Sequence, residues 1–197
     1  MLLQKAYLLI FDGLADWEPA LALCEIKKSG KYNVVTVGFS ESPVITMGGY
    51  KVSPDIIADA ANPEEAAIFI MPGGEMWEQG PNEDLIKLLH QLHAKGTIIA
   101  AICGATLEIA RAGLMHGVLH TSNSQGYLKA MLPGYRDDDF YVDRLAVTDK
   151  NIITASGLGS VEFACEIVRL LNIYSREETQ ELHEMFKHGV IPARYVS

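Results

Sequence analysis

Cys103 stands between the apolar run Thr97–Ile102 and the stretch Gly104–Ala112, with Ala101 two positions before it and Ala105 two positions after. Small residues at those positions let a strand and a helix pack closely, and the strained turn between them lifts the side chain out as a nucleophile elbow. A thiol so placed faces the free N–H groups and the positive dipole end of a helix, which favour the nucleophilic thiolate. Pro72-Gly73-Gly74 ends a second buried run, Ala67–Met71. Paired glycines let a backbone N–H face a pocket with no side chain in the way, as an oxyanion hole requires, and the amides of Gly74 and Gly104 are the expected donors. Glu18, in Gly13-Leu14-Ala15-Asp16-Trp17-Glu18-Pro19, adds a carboxylate shortly after the first apolar run. It reads either as an acid/base group or as a dipole partner at a helix start.

Other reactive side chains fit less well. Cys24 (LALCEI) and Cys165 (FACEIV) lie in apolar helical stretches and read as small inert hydrophobes. Met76 and Trp77 could wall a pocket or simply pack locally. His90 and His93 belong on a helix surface, and His183 and His188 in a C-terminal helix; His116 and His120 flank a loop, and of these His120 is the one to place near the site. Asp137-Asp138-Asp139 lacks the ligand spacing of a calcium loop and reads as a solvated acidic turn. No His/Cys spacing suggests a metal, and Asp12-Gly13-Leu14-Ala15-Asp16 lacks the second glycine of a dinucleotide fingerprint. No cofactor is therefore expected.

The chain that must position these groups has 197 residues, 49% hydrophobic and 21% charged, enough for one compact core. Its net charge of −9 repels phosphate backbones and argues against nucleic acid as a partner. No apolar run approaches the roughly 18 residues of a membrane span, and Met1–Phe11 lacks the features of a signal peptide. Three cysteines without a CxxC pair suggest free thiols in a reducing cytoplasm.

Short apolar runs alternate with amphipathic ones. Strands are expected at Ala6–Phe11, Asn33–Val37, Ala67–Met71, Thr97–Ile102, Leu145–Thr148 and Ile152–Ala155, with a hairpin across Val44–Ser53 turning at Met47-Gly48-Gly49-Tyr50. Helices are expected at Asp16–Ser29, Asn82–Lys95, Gly104–Ala112, Val161–Leu171 and Arg176–Lys187. Asp16 and Asn82 would cap, while Gly30, Gly96 and Gly113 would stop. This alternation predicts a single α/β domain: a mainly parallel, flavodoxin-like sheet between two helical layers, with a C-terminal helical extension at about 174–197. Its ligands would bind beyond the carboxyl ends of the strands.

The segments IFIMPGGE, AAICGATLEIARAGL and Ala155-Ser156-Gly157 leading to Val161-Glu162-Phe163-Ala164 resemble, in this order, those of the ThiJ/PfpI superfamily, which has the class I glutamine amidotransferase-like fold. The resemblance runs from about Lys5 to Leu171. It implies Cys103 as nucleophile, Glu18 as the carboxyl lying against the sulfur, and Gly74 and Gly104 as oxyanion-hole amides. Protease-like members carry a histidine directly after the cysteine, where this chain has Gly104. Others carry one in the stretch corresponding to His120-Thr121-Ser122-Asn123, where Asn123 takes the place. The expected activity is a cysteine-dependent hydrolase of amide or peptide bonds. The alternatives are glyoxalase, deglycase or hydratase chemistry on small electrophiles, and a non-catalytic redox sensor built on the Cys103 thiolate. A homodimer is also implied, with the hairpin or the C-terminal helix as contact.

Overall fold

A computed structural model describes residues 3–193. In chain order the elements are β1 (Lys5–Ile10), α1 (Trp17–Ser29), β2 (Asn33–Gly38), β3 (Val44–Ile45), β4 (Lys51–Val52), β5 (Ile56–Ile57), β6 (Ala66–Met71), α2 (Glu83–Ala94), β7 (Ile98–Ile102), α3 (Thr106–Arg111), α4 (Gln125–Met131), β8 (Ala146–Asp149), β9 (Ile152–Ala155), α5 (Ser160–Leu170) and α6 (Arg176–His188). Short 3-10 turns at Glu75–Gln79 and Cys103–Ala105 follow β6 and β7.

β1, β6 and β7 are continuous apolar runs because helices cover both of their faces, and no residue of β7 is solvent-accessible enough to need a polar side chain. The seven-stranded sheet has the order β5-β2-β1-β6-β7-β9-β8. All its pairings are parallel except β8 with β9, a hairpin turning at Lys150-Asn151. Crossovers are right-handed. The chain moves one way from β1 to β2 and the opposite way from β6 to β7 to β9, so α1 falls on one face and α2 and α3 on the other. α5 packs against α1 and carries α6 on its outside. The direction reverses between β1 and β6, and the crevice at their carboxyl ends is where an open α/β sheet offers a site.

Most termini follow local chemistry. Asn82 accepts the Leu85 amide at the start of α2, Gly30 closes α1 in the left-handed conformation, and Ser175 with Glu178 makes a capping box on α6. Asp16 is a correction. It makes no cap bond to α1; its Oδ2 accepts Gly48 N–H at 2.6 Å from the β3–β4 turn. Ile45 N–H donates to Asp12 Oδ1 and Met47 N–H to Leu14 O, both at 2.8 Å, so the hairpin clamps the loop that leads to Glu18. The helix after Cys103 is also shorter than expected, because its first turn is the 3-10 turn of the elbow. The extension appears as α6; positions 194–197 of that expectation, like Met1 and Leu2, lie outside the described residues.

Candidate active site

Cys103 has φ of +60°, a left-handed conformation that a non-glycine residue adopts at a cost of about 1–3 kcal/mol. Thr106 offsets part of that cost. Its Oγ1 donates to the Cys103 carbonyl at 2.7 Å and shares a 2.7 Å hydrogen bond with Ser122 Oγ, tying the elbow to the next loop. Trp77 backs the turn from below, 1% exposed, edge-on to Phe11 and bonded through Nε1 to Pro72 O at 2.9 Å. It is thus a buried support for the elbow and not the wall of an open pocket.

Glu18, 1% exposed, reaches the same place from the first turn of α1. Its Oε2 accepts Gly73 N–H at 2.5 Å, and its carboxyl also hydrogen-bonds with the Cys103 thiol. Two glycines make the room. A Cβ on Gly73 would lie 2.7 Å from both Cys103 Cβ and Glu18 Oε2, and one on Gly157 would lie 3.0 Å from Cys103 Sγ. Gly74 has a different neighbour, since its Cβ would meet Phe11 Cε2 at 2.6 Å. The glycine that admits the sulfur is therefore Gly73.

Asn123 closes the third side. Its Nδ2 donates to Cys103 Sγ at 3.4 Å, and its Oδ1 accepts Gly157 N–H at 3.0 Å. The Gly104 amide also favours the charged form of the sulfur. His120 does not join them. It is fully buried, with Nε2 2.6 Å from Tyr135 OH and Nδ1 2.7 Å from Val118 O, so both ring nitrogens are already used. Among the described residues, no histidine hydrogen-bonds to Cys103. Glu18 and Asn123 lie beside Cys103, while His120 and Trp77 bond elsewhere.

The electrostatics correct the simple thiolate expectation. Burial pushes the Cys103 thiol up, and the Glu18 charge adds to this against the Asn123 and Gly104 hydrogen bonds. Burial pushes Glu18 up too, although the Gly73 amide and the thiol pull it down. The two groups compete for one negative charge, and a proton can pass between them without leaving the site. Of the other thiols, Cys165 is buried and pushed up to about 12, chiefly by burial. Cys24 is exposed, not packed away as its apolar neighbours suggested.

Three features were missed in the sequence. Tyr127 of α4 donates from its OH to Glu78 Oε1 at 3.1 Å beside the cysteine, and burial pushes its pKa up. Arg111 Nη1 donates to Trp77 O at 2.8 Å, Gly80 O at 3.0 Å and the fully buried Glu108 at 3.0 Å, pinning the glycine loop. The i, i+3 spacing of Glu108 and Arg111 was the available signal. Asp137 is not merely solvated either, for it accepts His116 Nδ1 and Gly117 N–H. A cavity of about 740 Å³ adjoins Glu78 and Arg111, with Tyr135 and Asp137 on its far wall, and does not include Cys103.

Fold and site together define a flavodoxin-like α/β protein with an elbow cysteine backed by a buried glutamate at the switch point of its sheet. The chain belongs to the DJ-1/PfpI family, whose pattern matches residues 4–170. It is 34% identical over 192 residues to the uncharacterized protease YoaZ of Bacillus subtilis, covering 93% of this chain and 91% of that one. It is 28% identical over 175 residues to the deglycase PfpI of Pyrococcus furiosus, covering 85% and 99%. Among solved structures, a thiJ/pfpI family protein of Bacillus anthracis superposes with a TM-score of 0.88 at 32% identity, covering 96% of this chain and 93% of that one. No helix among the described residues is long and apolar enough to cross a membrane.

Proposed function

We propose that the protein is a thiol-dependent enzyme of glyoxalase or deglycase type, acting on small reactive carbonyl compounds. The observation that carries this reading is the hydrogen-bond shell of Cys103 Sγ. Asn123 Nδ2 donates to the sulfur, the Glu18 carboxyl and the Gly104 amide act on its charge, and among the described residues no histidine bonds to it. Peptide hydrolysis needs an acid to protonate an amine leaving group, and histidine most often supplies it. Addition to an aldehyde expels no leaving group, so one buried carboxyl is enough to manage its protons.

The first step follows from the contacts. The thiol proton passes to Glu18 as Sγ bonds to the aldehyde carbon, and the carbonyl π pair moves onto oxygen. Glu18 then returns its proton to that oxygen, giving a hemithioacetal. The amides of Gly104 and Gly74 are the donors for the developing charge. With a 2-oxoaldehyde, Glu18 next removes the proton on the sulfur-bearing carbon and delivers one to the neighbouring carbon, while the hemithioacetal hydroxyl gives its proton to the neighbouring oxygen and becomes the thioester carbonyl. The product is a thioester of a 2-hydroxy acid, which water hydrolyses to free the thiol. The relative named as a deglycase supports this class.

Amide hydrolysis is the second reading, favoured by the name of the Bacillus subtilis relative. One paired assay separates the two. Lactate formation from methylglyoxal, abolished in Cys103→Ser, is the expected result. Release of chromophore from a peptide amide without lactate formation would overturn the first reading in favour of the second.

A further inference from the structure

The end of α6 carries a cluster that the Cys103 site does not use. His183, Glu184 and His188 each bring one ligand-type atom within 4.8 Å of the others. His183 Nε2 lies 3.2 Å from Glu162 Oε1 of α5, which also accepts Lys187 Nζ at 3.0 Å. Glu162 Oε1, already paired with Lys187, accepts from Nε2–H, which leaves Nδ1 as the ring nitrogen free to bind. That Nδ1 is buried and has no hydrogen-bond partner among the described residues. A buried ring nitrogen without a partner, on a histidine grouped with a second histidine and a carboxylate, asks for a ligand.

We propose that His183, Glu184 and His188 form a binding site for a divalent transition-metal ion, with zinc as the best match. His183 binds through Nδ1 while Glu162 holds its Nε2–H, the carboxylate–histidine–metal relay that orients imidazole ligands. Glu184 has one oxygen accepting Gln180 Nε2 at 2.8 Å and offers the other. Two imidazoles and a carboxylate suit zinc, disfavour calcium and magnesium, and leave a fourth position for water. The site sits on the last turn of α6, where the carbonyl end of the helix dipole attracts a cation. The nearest competing cation, Lys187, is paired with Glu162. His183 and Glu162 also line a cavity of about 320 Å³.

Calorimetric titration of the full chain with zinc chloride tests the proposal. One site per chain is expected. His188→Ala, an exposed change at a helix end, should weaken it at least tenfold, and Glu162→Ala by about 10–100-fold through loss of the relay. Thermal unfolding without zinc checks that both variants fold, and zinc should raise the wild-type Tm but not that of His188→Ala. His93→Ala and Cys103→Ser should bind as wild type, and the cobalt complex should show no thiolate-to-metal charge-transfer band. Failure of the wild type to bind zinc, equal binding by His188→Ala, or binding lost in His93→Ala or Cys103→Ser overturns the proposal.

Discussion

Asn123 Nδ2 donates to the Cys103 sulfur at 3.4 Å while Asn123 Oδ1 accepts the Gly157 amide at 3.0 Å. The side chain thus turns a donor toward the nucleophile and is itself held by the loop after β9. An amide cannot take the thiol proton, so Asn123 stabilises the thiolate without generating it.

Removing that donor should cost activity without unfolding the protein, because Asn123 is exposed. A hydrogen bond to a charged group contributes about 1.5–3 kcal/mol, so Asn123→Ala should lower kcat/KM by roughly 10–100-fold. Asn123→Asp should be worse, since its carboxylate repels the thiolate. Steady-state kinetics on a 2-oxoaldehyde, with Tm as the control, checks both.

The two glycines should respond unequally. A Cβ at Gly73 would come within 2.7 Å of Cys103 Cβ at the elbow and of Glu18 Oε2, and the backbone there cannot give way. Gly73→Ala should abolish turnover and cost about 1–3 kcal/mol of stability, the usual range for overpacking. At Gly157 the closest contacts are longer, 3.0 Å to Sγ and 3.2 Å to both Cys103 Cβ and Glu18 Oε1, so a shift of a few tenths of an ångström relieves them. Gly157→Ala should fold normally and lose only part of its activity. Chemical denaturation and kinetics on the two variants decide it.

Glu18 should be held at a cost to stability. Its folded pKa is raised, mainly by burial, above the ordinary value of 4.5. The stability this contributes is present below the unfolded pKa and is lost as pH rises through the folded one. At pH 7 the unfolded chain ionises the carboxyl freely while the folded chain resists. Glu18→Gln can still accept Gly73 N–H, so it should be more stable than wild type at pH 7, with the gap closing near pH 4. Each ~1 kcal/mol would appear as about 2–4 °C in Tm for a chain of this size. A thermal melt series across pH reads the effect.

The Glu108–Arg111 pair should matter to the site from a distance. Arg111→Met removes the donor from Oε2 of the fully buried Glu108, whose Oε1 keeps the Asn82 N–H, and from the carbonyls of Trp77 and Gly80. Breaking one partner of a buried pair costs about 3–5 kcal/mol. A denaturant midpoint well below wild type, with kcat falling as Trp77 loosens behind the elbow, is the expected outcome.

The fold and the centre of the site were legible in sequence because each rests on local chemistry. AYLLIF, AIFIM and TIIAAI announce buried parallel strands, and Ala-Ile-Cys-Gly-Ala announces an elbow. The Asn123 contact was visible only as a substitution in a family pattern. What stayed hidden depends on side chains meeting from distant segments. Asp16 looks like a cap until the β3–β4 turn comes to it. His120 looks available until Tyr135 takes its Nε2. The grouping at α6 escaped because His183 and His188 are five residues apart, a spacing with no familiar metal signature, and the orphaned Nδ1 depends on Glu162 from another helix.

The central claim is that Cys103 supplies the nucleophile and Glu18 moves the protons. The most direct measurement sets lactate formation from methylglyoxal beside alkylation of Cys103 in wild type, Cys103→Ser and Glu18→Gln. The account predicts that Glu18→Gln still alkylates at Cys103 yet makes lactate at least about 100-fold more slowly, the lower end expected for loss of a general acid/base. Cys103→Ser should make none. Lactate formed at the wild-type rate by either variant would contradict it.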